Sequence, residues 1–379
     1  MPARMAAGAL DGVLVADFSR VLAGPVCTMT LADLGADVVK VERPDGGDDT
    51  RSWGPPWTDR GATYYLGLNR GKRSIALDLR EERDLELARR LAMRADVLVE
   101  SFRPGTMERF GLGYDEVAAA NPEVVYCSVT AFGSDARPGY DLLLQAMGGI
   151  MSITGEEDGR PLKVGAAVVD LICGLYATIG VLGALQARER DPQRRGQRVE
   201  ATLMQAALAA LVNQGSAYLL GGVVGGRLGN RHPSIAPYAT YRAADGEFVV
   251  AVANDALFAR LCAAIGRPEL TADERFATNP ARRANVDALD AELEEAFAAR
   301  GVEEWVELFN QAGVPAGPIN DVAQAFALAE EAGLEPVAVV DGLRLPAPPV
   351  RLSRTPAGSD LPPPALGEHD GELRAWLES

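Results

Sequence analysis

Asp170 is the residue whose setting most demands a chemical reason. It stands between AAVV and LICG, among the least polar surroundings in the chain. Leaving an unpaired carboxylate in such a place costs several kcal/mol, so something must compensate. One reading is an N-cap, a role Asp fills well, because a long helix is expected to begin just after it. The other reading builds on the first. A carboxylate at a helix N-terminus is expected to stay ionised, helped by about 0.3–2 kcal/mol from the dipole. Stripped of water, such a group is a nucleophile able to attack a thioester.

Other chemistries lack their residues. The first strand-to-helix turn reads FSRVLAGP and offers only Gly24, whereas a dinucleotide fold needs G-x-G-x-x-G there to admit a pyrophosphate. NAD and FAD are therefore not expected. Nor is a Walker-type loop, since no G-x-x-x-x-G-K-[ST] occurs. G-x-S-x-G is missing too, and only His232 and His369 could serve as a triad base. Cys27, Cys127, Cys173 and Cys262 lie in apolar contexts without C-x-x-C spacing. They read as reduced core residues, not as a metal cluster or a thiol nucleophile.

The elements that must position Asp170 are legible as a pattern. Strand signals at 13–18 (VLVADF), 38–42 (VVKVE), 97–100 (VLVE) and 124–129 (VVYCSV) alternate with helix signals at 24–34, 81–94 and 114–120. Such alternation implies parallel βαβ units, hence an α/β fold with an open, doubly wound, Rossmann-like parallel sheet. A long apolar helix after Asp170, a strand near 197–201 and an apolar helix over 203–220 extend this layer. Residues 164–187 could imitate a membrane span, but Asp170 interrupts them and the charge-free remainder falls short of the roughly 20 residues needed. A buried helix is expected. Around 221–231 the pattern breaks into GGVVGGRLGNR. A hairpin follows, with strands at 236–241 and 248–253. Amphipathic helices then carry Val286, Leu289, Leu293 and Phe297, and Val302, Trp305, Val306 and Phe309. The expected organisation is a large domain over 1–224, a smaller α/β domain over 225–325, and a return segment over 326–379 that completes the large domain.

With 379 residues, two domains are favoured over one oversized core. The net charge of −16 argues against nucleic acid and anionic membranes as partners. It is unevenly spread: residues 1–110 hold 16 Lys/Arg and 17 Asp/Glu, a balance of −1, which leaves −15 for the remainder. An anionic ligand would be best received in the first third, unless Arg-rich helices sit there by chance. The opening MPARMAAGALDG lacks the marks of a secretory signal. It reads as a frayed tail, and a cytoplasmic location is expected.

Eight segments, in order, carry a resemblance: LDGVLVADFSRVLAGP, LADLGADVVKVERP, NRGKRSIALDL, LVESFRPGTMERFGL, PGYDLLLQA, VVDLICG, GVPAGPIND and ALGEHDGEL. Together they make nearly the whole chain similar to the family III CoA-transferases, which include formyl-CoA transferase, carnitine CoA-transferase and the α-methylacyl-CoA racemases. The resemblance places the nucleophilic aspartate at Asp170. It implies exchange of coenzyme A between an acyl-CoA and a carboxylic acid through an aspartyl anhydride and an aspartyl-CoA thioester. By the same resemblance, Val21, Leu22, Arg43, Leu77, Asp78, Leu79, Arg80, Ser101, Phe102, Arg103 and Arg109 would bind CoA, with 77–80 and 101–103 lining the nucleotide cleft and Arg43 and Arg109 on phosphates. Arg137, Pro138, Gly139 and Tyr140 would approach the pantetheine and thioester. Arginine–phosphate pairing would then account for the near-neutral first third. No resident cofactor or metal is implied, the CoA thioester being a substrate. An interlocked homodimer is implied, each chain threading the other, with the Pro-rich stretch 345–364 returning to the large domain.

Two departures bear on substrate. Leu22 stands where formyl-CoA transferase carries a glutamine, which weakens formyl/oxalate exchange. The region of that enzyme's glycine loop reads GNRHPSIAPY at 229–238, similar to members handling dicarboxylic acids such as succinate or glutarate. Arg231 or His232 could meet a distal carboxylate there; alternatively Pro233 and Asn230 merely order a loop. A racemase is the runner-up, but Tyr140 stands where that branch has histidine, and a phenol with pKa near 10 is a poor base. A non-catalytic acyl-CoA binder is the third reading. It leaves the costly Asp170 unexplained.

Overall fold

The structure is a computed structural model and describes residues 8–379. The expected frayed tail lies partly outside the described residues; within them, Leu10 N–H already donates to the Leu34 carbonyl at 2.8 Å. The chain divides into two compact units. The first holds residues up to Ile150, Lys163–Val224 and Leu334–Ser379; the second holds Met151–Leu162 and Gly225–Gly333. The second unit thus takes in a stretch near 150–162 that carries no sequence signal of a domain change.

In the first unit, six strands form one parallel sheet: β1 (Leu14–Phe18), β2 (Asp37–Glu42), β3 (Lys72–Ala76), β4 (Val97–Glu100), β5 (Val125–Thr130) and β6 (Arg198–Thr202). Their order is β3-β2-β1-β4-β5-β6, the doubly wound arrangement in which the winding reverses between β1 and β4. Edge strand β3, in the NRGKRSIALDL segment, was not expected as a strand. Alternate residues feed two cores. Val15, Val38, Val97 and Cys127 pack under α1 (Ala23–Asp33) and a long helix at Val168–Arg190. Ala16, Val39, Leu98 and Tyr126 pack under α2 (Glu82–Arg94), α3 (Tyr114–Ala120) and the C-terminal helix. Burial on both faces is why these strands read as nearly unbroken apolar runs.

A short helix α4 (Asp141–Met147) precedes α5 (Val168–Arg190). Among the described residues α5 alone is long and apolar enough to cross a membrane, yet ten of its residues, from Val169 to Arg188, are buried. Two glycines let it lie close: a Cβ at Gly174 would stand 2.5 Å from the Ala23 carbonyl oxygen, and one at Gly180 would stand 2.6 Å from Val199. The single apolar helix expected over 203–220 is two, α6 (Leu203–Ala210) and α7 (Val212–Gly221), parted where Val212 takes φ +44°. Apolar periodicity alone does not register such a break.

The second unit has a three-stranded antiparallel sheet of β7 (Tyr238–Arg242), β8 (Glu247–Ala251) and β9 (Ala316–Pro318), ordered β9-β8-β7. Helices α8 (Asp255–Ala264), α9 (Val286–Phe297) and α10 (Val302–Ala312) bury Leu289, Leu293, Phe297, Trp305 and Phe309 as their periodicity predicts. The chain then re-enters the first unit as a hairpin, Val337–Val340 with Leu343–Pro346, and ends in α11 (Asp370–Glu378). Leu373 and Leu377 of α11 complete the second face of the large sheet.

Candidate active site

Loops leaving the C-terminal ends of β1 and β4 part at the point where the winding reverses, the place where open α/β sheets admit ligands. Two clefts open there, both within the first unit. One, of about 250 Å³, is lined by the β1 turn from Arg20 to Gly24, by Ser101–Pro104 after β4, by Arg137–Tyr140, and by Asp170. The other, of about 410 Å³, is lined by Arg43, Asp45, Asp48, Leu77–Arg80, Phe102 and Phe110. Arg20 and Phe102 border both, with the Arg20 guanidinium 5.0 Å from the Phe102 ring centroid. The two clefts are therefore neighbours.

Asp170 is not the N-cap of α5. The helix begins two residues earlier, with Ala167 as the capping residue and no cap from its own side chain. The carboxylate of Asp141 takes that role from outside the helix, accepting from the N–H of Val169 at 2.9 Å and of Asp170 at 3.4 Å. Gln145 holds Asp141 in place through a 2.6 Å bond. Asp170 therefore sits in the first turn with its side chain unpaired, accepting no hydrogen bond among the described residues although only 8% of it is exposed. Burial, and secondarily the charge of Asp141, pushes its pKa from the usual 3.8 up to about 7. The expectation that the dipole keeps it fully ionised is thus corrected. Loss of water outweighs a helix end whose N–H groups already serve Asp141.

The first turn is built on buried charges that the sequence reading passed over. Asp17, inside β1, accepts from Ser19, from Thr28 and from Lys72 at 3.0 Å. Lys40, inside β2, reaches the Ser19 carbonyl at 3.0 Å and Asp48 at 3.0 Å. All four charged side chains are inaccessible to solvent. The signal was available: Asp in VLVADF and Lys in VVKVE each interrupt an apolar strand, where an ionic group must find a partner. Gly24 is required at this turn, because a Cβ there would stand 2.2 Å from that of Ser19.

Most of the residues carried over by resemblance converge. Val21, Leu22, Ser101, Phe102, Arg103, Arg137, Pro138, Gly139 and Tyr140 line the first cleft with Asp170; Arg43, Leu77, Asp78, Leu79 and Arg80 line the second. Gly139 lets its segment lie against the end of β5, since a Cβ would meet Ala131 at 2.3 Å. Tyr140 is 57% exposed and so is no core aromatic. Arg109 lines neither cleft. It is exposed, its guanidinium near Thr106 Oγ1 at 3.3 Å. Several arginines of the first third are paired with carboxylates of the same chain. Arg51 pairs with Glu42, Arg70 with Asp33, Arg73 with Asp37 and Arg90 with Glu86. Arg43 itself bonds Asp49 at 2.7 Å.

Arg231 and His232 belong to the second unit. Arg231 is held by Asp287 at 2.8 Å and Asp290 at 2.7 Å. With these two carboxylates on its guanidinium, Arg231 lines an acidic cleft of the second unit that also holds Glu156, Glu157 and Glu294. His232 Nδ1 accepts from Ser234 N–H at 3.0 Å, and its ring lies against Tyr238. Both side chains are thus engaged within the second unit, where Asn230 also donates to Thr240 Oγ1 at 3.2 Å. All four cysteines are free and buried, and burial pushes Cys173, one turn from Asp170, up to about 12. No thiolate competes as nucleophile.

Residues 10–370 match the family described as CoA-transferase family III. The chain is 40% identical to a succinate–glutarate CoA-transferase of Agrobacterium fabrum, over 98% of this chain and 96% of that protein. It is 39% identical to a succinyl-CoA:glutarate CoA-transferase of Mus musculus, over 95% of this chain and 84% of that protein. Among solved structures, a CAIB/BAIF family protein from Brucella suis superimposes with a TM-score of 0.88 at 43% identity, covering 98% of this chain and all of that one.

Proposed function

The chain belongs to CoA-transferase family III and is a transferase, and from that premise we propose that it moves coenzyme A between dicarboxylic acids with Asp170 as nucleophile. The observation that carries this is a single one: an unpaired carboxylate, on a residue only 8% exposed, lining a cleft that shares Arg20 and Phe102 with a neighbouring one. A carboxylate with pKa near 7 is half ionised at neutral pH and is more basic than a solvated one, which suits attack on a thioester.

Asp170 attacks the donor carbonyl; the C–S bond breaks, giving a mixed anhydride and CoA thiolate. The thiolate attacks the aspartyl carbonyl, releasing the donor acid and leaving an aspartyl-CoA thioester. The acceptor carboxylate attacks that thioester to form a second anhydride. The returning thiolate takes the acceptor acyl group, and the Asp170 carboxylate is restored. Every step trades one activated acyl for another, so the cleft need only exclude water and hold the partners close. No resident cofactor takes part. Arg43 and Arg80 would meet phosphates, and Tyr140 and Arg137 the thioester end.

Succinyl-CoA and glutarate are the substrates to try first, because relatives over nearly the full length bear those names. The working form is a homodimer. Large apolar side chains stand in solvent at Ile179 on α5 (62% exposed) and Leu220 on α7 (90% exposed), groups that a partner subunit would cover. The test is exchange between succinyl-CoA and glutarate, with product esters read by mass. Asp170→Ala should abolish exchange. Incubating the protein with acyl-CoA alone should add the mass of CoA less one water to the wild-type chain and not to the variant. Exchange at the wild-type rate by Asp170→Ala would refute the mechanism.

A further inference from the structure

The turn that brings Val21 and Leu22 to the first cleft is held at each residue. Ser19 N–H donates to Asp17 at 2.9 Å, and the Ser19 carbonyl accepts from Lys40 Nζ at 3.0 Å. Arg20 N–H donates to Ser101 Oγ at 2.9 Å. Val21 N–H is shared by the two Asp48 oxygens at 3.4 and 3.3 Å. Val21 itself stands at φ +71°, a left-handed conformation that a β-branched residue adopts only when its surroundings impose it. Glycine would adopt it freely, and glycine is not there.

Asp48 is well placed to impose it. Its side chain is inaccessible, Lys40 Nζ lies 3.0 Å away, and the Thr50 N–H and hydroxyl bond the same carboxylate. A buried, fully bonded anion makes a strong fixed acceptor. The consequence reaches Asp170 through packing. The Ala23 carbonyl lies against Gly174, one turn beyond Asp170 on α5, so a shift of the turn is felt at the helix that carries the nucleophile.

We propose that Asp48, fixed by Lys40, is a positioning residue for CoA transfer. It holds Val21 in its left-handed conformation, so that Val21 and Leu22 form the wall of the cleft that Asp170 lines. This rests on the CoA-transfer reading above. Without the anion, Val21 relaxes toward negative φ, and the turn and the start of α1 move with it.

The test is a rescue. Asp48→Asn, Val21→Gly and the double variant are compared for kcat, for KM with acyl-CoA and for thermal melting. Asp48→Asn should lower kcat roughly 10²-fold, the scale of a misplaced reacting geometry, with a smaller change in KM. Adding Val21→Gly should restore roughly tenfold or more, because glycine keeps the conformation unaided. A purely structural role would lower the melting temperature and would not be relieved in kcat by glycine. If Asp48→Asn does not fold because Lys40 is left unpaired, the charge-neutral Lys40→Met/Asp48→Asn pair carries the same comparison with and without Val21→Gly. Wild-type kcat in Asp48→Asn, or a double variant no faster than its parent, overturns the proposal. Lack of exchange by the wild type would instead overturn the CoA-transfer reading.

Discussion

Asp170 should make the protein less stable at the pH where it works, and by an amount the structure sets. Burial and Asp141 raise its pKa from 3.8 to about 7. At ~1.4 kcal/mol per pH unit, that gap costs the folded state about 4 kcal/mol once the group is ionised on both sides of the folding equilibrium. The sign follows from proton binding. Between the two pKa values the folded chain binds the proton more tightly, so stability falls as pH rises through that window and levels off above about 7. Asp170→Asn removes the titration while keeping the shape. The comparison is urea unfolding of both proteins from pH 5 to pH 8. The variant's advantage should widen by about 2 to 3 kcal/mol across that range. Any constant difference between amide and carboxyl drops out. A gap that stays flat with pH would mean that Asp170 is solvated or paired, and the argument for a poised nucleophile would fail with it.

Further outcomes follow from the same geometry. Asp141→Asn keeps an oxygen to cap α5 but removes the charge that raises Asp170, so the acid limb of kcat/KM against pH should move to lower pH; an unmoved limb contradicts the assignment. Arg43→Gln should raise KM for acyl-CoA on the order of 10- to 100-fold with little change in kcat, the scale of a charge-assisted phosphate bond. Equal KM values would remove Arg43 from the nucleotide cleft. Gly174→Ala must push a Cβ to within 2.5 Å of the Ala23 carbonyl oxygen and 2.9 Å of Val26. It should cost about 1–3 kcal/mol in denaturant unfolding, and an unchanged midpoint would show that α1 and α5 do not pack as described. Dialysis against a chelator should leave exchange activity intact; a loss restored by added metal would refute cofactor-free transfer.

Periodicity and composition determined the layer order. The alternation of apolar runs with amphipathic stretches is a local property, and it led to a parallel sheet whose strands at 97–100 and helix at 114–120 fall where expected. The isolation of Asp170 in an apolar run was equally readable, because hydrophobicity is written residue by residue. Only the tertiary structure decided how that carboxylate is used. Its cap comes from Asp141, 29 positions earlier, and its raised pKa comes from water excluded by distant segments. The same holds for Arg231, whose two carboxylate partners lie on α9, and for Lys40 and Asp17, which showed only as interruptions of strands. Charge partners and desolvation depend on which segments fold back together, and that information resides in the packing of the whole chain and not in any local window of it.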